Sequence, residues 1–79
     1  MHHGHCSLFV NGEESGRVEY KYNSDGTGYL WGDPETFVLA IHEEDVSLRL
    51  DGEDKAIAIR SATPGEAAPF AFKDWRKGA

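Results

Sequence analysis

Glycine and proline recur along this chain so closely, at Gly12, Gly16, Gly26, Gly28, Gly32, Gly52, Pro64, Gly65 and Pro69, that little room is left for a long helix. The intervening apolar runs are roughly four to eight residues long, the length of strands. A chain of 79 residues is read as one domain, near the size at which a single core only just suffices.

Two turns share a grammar. "EESG" at 13–16 and "NSDG" at 23–26 each suit a type I turn closed by a glycine in the left-handed region. That reading puts Glu13 opposite Arg17, Val10 opposite Tyr20 and Leu8 opposite Tyr22. In the second hairpin it puts Asn23 opposite Thr27 and Tyr20 opposite Leu30. Because side chains alternate along a strand, Cys6, Leu8, Val10, Val18, Tyr20, Tyr22 and Leu30 then share one apolar face. The other face collects Ser7, Phe9, Asn11, Arg17, Glu19, Lys21, Thr27, Tyr29 and Trp31.

"GDPETFVLAIHEED" carries helix signals: Asp33 as N-cap, Pro34 in the first turn and Glu35 at the positive end of the dipole. They predict a short helix near residues 34–43 that lays Phe37, Ala40 and Ile41 on the sheet, although Phe37, Leu39 and Ile41 also alternate as a strand would. In the second half, "VSLRL" and "KAIAIR" read as a hairpin with a Gly52-Glu53 turn, pairing Leu48 with Ile57 and Val46 with Ile59. "PFAFK" supplies a last strand with Phe70 and Phe72. The expected fold is mainly β: a small antiparallel six-stranded barrel or two-layer sandwich with one short helix. Residues 1–5 and 74–79 are expected to be flexible tails.

Fourteen acidic residues against eight basic ones give a net charge of −6. Such a surface repels phosphate, so neither nucleic acid nor an anionic membrane is an expected partner. The basic residues Lys73, Arg76 and Lys77 around Trp75 make only a local patch. One cysteine excludes an internal disulfide, and with no leader pattern or long apolar run the reading is a cytoplasmic protein with a free thiol.

The start, "MHHGHC", is rich in ligands. His3 would complete an amine-X-His terminus of the kind that suits Cu(II) or Ni(II). His2, His3, His5 and Cys6 could alternatively offer imidazole and thiolate to zinc, although neighbouring residues rarely reach a tetrahedral arrangement. An incidental terminal chelator accounts for the same residues. Cys6 shares a face with Leu8 and away from His5, so it reads as a small hydrophobe rather than a nucleophile. No acid, base and nucleophile form a recognisable constellation, and a non-enzymatic protein is expected.

The mixed face is the stronger lead. Phe9, Arg17, Lys21, Tyr29 and Trp31 have the make-up of a protein interface, with aromatic rings beside cations. They would serve a protein partner or self-association as a homodimer; pairing through an exposed strand edge is another route. A helix or strand lying over this face would instead make it a second core. A third reading is small-ligand or sugar binding, with Tyr29 and Trp31 lining the mouth of the barrel.

Overall fold

In a computed structural model, which describes residues 2–63 and 65–74, the chain forms six strands and one helix. They are β1 (His2–Val10), β2 (Glu13–Tyr22), β3 (Thr27–Trp31), α1 (Pro34–Ile41), β4 (Val46–Leu50), β5 (Glu53–Ile59) and β6 (Ala68–Phe72). The strands close into an antiparallel barrel in the order β1-β2-β3-β6-β5-β4. Closure uses two long-range seams, β1 on β4 and β3 on β6.

The β2–β3 loop is as the sequence predicts. The Asn23 amide donates to the Thr27 carbonyl at 2.8 Å, Gly26 has φ 84°, and Tyr20 faces Leu30. Asp25 completes the loop by accepting from the Thr27 amide and hydroxyl.

The other two hairpins turn elsewhere. β1 and β2 are joined by Asn11-Gly12, with φ 54° and 81°, and β4 and β5 by Asp51-Gly52, with φ 51° and 80°. Two successive left-handed residues are what a type I′ hairpin needs, and Asn-Gly and Asp-Gly supply them best. Val10 therefore faces Glu13, while Tyr20 faces Gly4 and Tyr22 faces His2. In β4–β5, Leu48 faces Lys55 rather than Ile57.

The inward set survives these corrections for a reason of parity. Between Leu8 and Phe9 the register shifts, with Leu8 opposite Gly16 and Phe9 opposite Glu14, so Ser15 is an extra residue in β2. This bulge offsets the odd register set by the two-residue turn. Cys6, Leu8, Val18 and Leu30 thus all point inward and are buried. In β4–β5 the register differs from expectation by two residues, an even number, and again no side chain changes face.

Leu8, Leu30, Leu48, Ile57 and Phe70 are the largest fully buried side chains. Each contributes on the order of 1.5–3 kcal/mol of burial free energy. Helix α1 begins where expected: the Asp33 carboxylate accepts from the Glu35 amide at 3.0 Å and Pro34 occupies the first turn. It adds Phe37 and Ala40 to the core, with Ile41 packed beside them. It ends at Ile41, two residues short of the expected span and ahead of the acidic run Glu43–Asp45, which is unfavourable at the negative end of a helix.

The N-terminal residues depart from the expected tail. His2–His5 are paired strand, facing Tyr22 through Glu19 of β2. At the other end Asp74 lies in a turn after β6 and Lys73 donates through Nζ to the Glu44 carbonyl at 2.6 Å, whereas Trp75, Arg76, Lys77 and the rest of the expected tail lie outside the described residues. Among the described residues no helix is long and apolar enough to cross a membrane.

Candidate functional site

With the barrel interior filled, the outer wall carries the residues able to meet another molecule. Alternation along β3 turns Tyr29 and Trp31 outward because Leu30 between them is fully buried. Their rings lie 6.4 Å apart and tilted by 44°. Tyr29 is 50% exposed and Trp31 40%, so neither α1 nor a further strand converts this wall into a second core.

Register identifies the neighbours. On the β2 side Lys21 faces Tyr29 and Glu19 faces Trp31. On the other side Tyr29 faces Pro69 of β6, Thr27 faces Ala71, and Ala71 faces Ala58 of β5. Tyr29 thus stands beside Pro69, with the small residues Ala71 and Ala58 in the adjoining Thr27 row and a charged border along β2. Pro69, Ala71 and Ala58 were not anticipated. Their signal was the alternation of "PFAF" and "AIAI", whose large members point inward and whose small ones must therefore point out.

Arg17 continues the border along β2, opposite Ser7 of β1. Phe9 does not belong to it. It faces Glu14 on β2 and Ser47 on β4, across the β1–β4 seam. The Arg49 guanidinium lies 4.3 Å from the centre of the Phe9 ring, and Asp54 holds it through bonds of 2.8 and 3.2 Å. That contact pushes the Arg49 pKa up and the Asp54 pKa down, chiefly through the side-chain hydrogen bond they share. Phe9 is therefore capped by a cation of its own and separated from the Tyr29–Trp31 wall.

The N-terminal ligand set is divided by the pleat. His2 stacks on Tyr22 with ring centres 4.8 Å apart, and Cys6 is core, 5% exposed. Burial pushes the Cys6 thiol up to about 11, against an opposing influence from the Arg17 charge. His3 and His5 are exposed and share the outer face, opposite Lys21 and Glu19. His5 Nε2 lies 3.6 Å from Glu19 Oε1. Among the described residues no three His, Cys, Asp or Glu side chains converge on a common point. Met1, whose amine the copper-type terminus would use, lies outside the described residues.

A cleft of about 380 Å³ opens between α1 and the β1–β2 turn, lined by Val10, Asn11, Glu13, Ser15, Thr36, Leu39 and Glu43. Asn11 Nδ2 donates to Glu43 Oε2 at 3.0 Å within it. Tyr29 and Trp31 stand on the outer wall and line no part of this cleft. No protein-family model, curated protein or solved structure matches the chain.

Proposed function

We propose that this protein is a small non-enzymatic interaction module that binds a protein partner through the wall centred on Tyr29 and Trp31. The observation that carries the reading is the exposure of these two rings, 50% and 40%, in a chain short enough to need its aromatics for stability. Large rigid rings beside small residues bring much contact area at little conformational cost, and Trp and Tyr are enriched among the residues that dominate binding energy. Lys21, Arg17 and Glu19 supply a polar border that fixes orientation.

A photocrosslinking residue in place of Tyr29, used in the protein's native cell, tests this. The expected result is a discrete protein adduct that disappears when Trp31→Ala is added while the circular dichroism spectrum is unchanged. Absence of any protein adduct, or unfolding of Trp31→Ala, overturns the proposal.

A further inference from the structure

The closed barrel leaves part of one strand edge open. β1 runs from His2 to Val10, yet its ladder to β4 covers only Ser7–Val10. Among the described residues no strand lies along the β4 side of His2–Cys6. Unpaired backbone groups on such an edge are a template for another strand. This edge also carries His3 and His5 at alternate positions on one exposed face, a spacing of roughly 6.5–7 Å along a strand.

We propose that His3 and His5 form half of a zinc site, completed when a second copy of this chain adds its own β1 antiparallel to this edge. Pairing His3 of each copy with His5 of the other is self-complementary, as a two-fold interface requires. Directly opposite residues share a face, with Cβ atoms about 4.5–5.5 Å apart, so four imidazoles gather on the outer side of the joint sheet. Four nitrogens at about 2.0–2.1 Å satisfy the tetrahedral preference of Zn(II).

Neighbouring residues support the arrangement. Gly4, between the two histidines, adds no bulk, and His2 and Cys6 are engaged on the inner face and are not needed as ligands. Glu19, beside His5 Nε2, can hold one ring nitrogen and leave the other for metal, a common partnership at zinc-bound histidines. The edge offers only a few backbone bonds, too few to hold two chains alone, so the metal is what makes association stable. This site adjoins the border of the Tyr29–Trp31 wall, with which it shares Glu19, but the proposal does not depend on that wall's binding a partner.

Sedimentation velocity on the full chain, first in EDTA and then in zinc chloride, tests the proposal. The expected result is a monomer of 8.8 kDa that doubles in mass on adding zinc and binds one zinc per two chains. His3→Gln and His5→Gln each return the monomer at the same zinc concentration, whereas His2→Ala and Trp31→Ala do not. A dimer in EDTA, a monomer binding one zinc by itself, no zinc binding, or a zinc-dependent dimer that survives the double His3→Gln/His5→Gln change overturns it. Circular dichroism confirms that the variants are folded, as expected for two exposed side chains.

Discussion

Gly28 and Gly12 separate two uses of one residue type. A methyl carbon at Gly28 would overlap the Lys21 carbonyl oxygen and lie 2.7 Å from Tyr22 Cα, so β2 and β3 could not keep their spacing. At Gly12 the same carbon meets nothing within 4 Å and only the φ of 81° resists it. Gly28→Ala is therefore expected to cost about 3 kcal/mol or more by overpacking and Gly12→Ala about 1–2 kcal/mol of backbone strain, compared by urea unfolding. Cys6 gives a pH prediction. Its folded pKa of about 11 lies above the ordinary 9.0, so its contribution is complete below pH 9 and is lost as pH rises toward 11, because only the unfolded thiolate gains solvation. Stability measured over that window should fall more steeply for the native chain than for Cys6→Ala. An equal slope would show that the thiol contributes nothing to it. The burial of Cys6 was legible in the sequence from its alternation with Leu8, whereas its distance from the exposed histidines depended on residues 2–5 being strand rather than tail.

Among the elements, alternation determined which face each side chain takes but not which residue it meets. Any even shift of register leaves the inward set unchanged, so placing the first turn at Glu13–Gly16 and placing it at Asn11-Gly12 with a bulge satisfy the same hydrophobic pattern. The turn dipeptides distinguish the two, because Asn-Gly and Asp-Gly tolerate consecutive left-handed conformations. The helix was readable because its cap is a local hydrogen bond requiring no distant partner. The bulge leads to a contrast between deletions. Removing Ser15 leaves Leu8 opposite Gly16 and Phe9 opposite Glu14 in a regular ladder, and the variant should fold with a loss of no more than about 2 kcal/mol. Removing Glu19 reverses the faces of Arg17 and Val18 relative to Tyr20 and Tyr22, and that variant should fail to give a cooperative urea transition. A cooperative Glu19 deletion would show that the ladder can absorb the slip.

For the whole molecule, closure decided what the sequence could not. The expected pairing of Val10 with Tyr20 put Phe9 beside Lys21 and so near Tyr29. The observed register instead sets Phe9 opposite Glu14 while Lys21 faces His3 and Tyr29, and barrel curvature brings β4 beside β1 and gives Phe9 to Arg49. The same curvature brings β6 beside β3 and supplies Pro69 and Ala71, residues remote from Tyr29 in sequence. With Trp75→Phe as background, the fluorescence of Trp31 should be readily quenched by acrylamide, and Trp31→Ala should unfold within about 1 kcal/mol of the parent. A shielded Trp31 would mean that the wall is already covered in solution.

The two seams also bear on how quickly such a chain can find its shape. The β1–β2–β3 meander and the β4–β5 hairpin need only near neighbours, but Leu8 meets Leu48 and Leu30 meets Ala68 only after long loops have closed. Barrels dominated by distant pairings fold in milliseconds to seconds, whereas hairpins form in microseconds. Joining the seams is then the slow event, and until it happens the open margins of β1 and β4 stand ready for whichever strand arrives first, from this molecule or its neighbour.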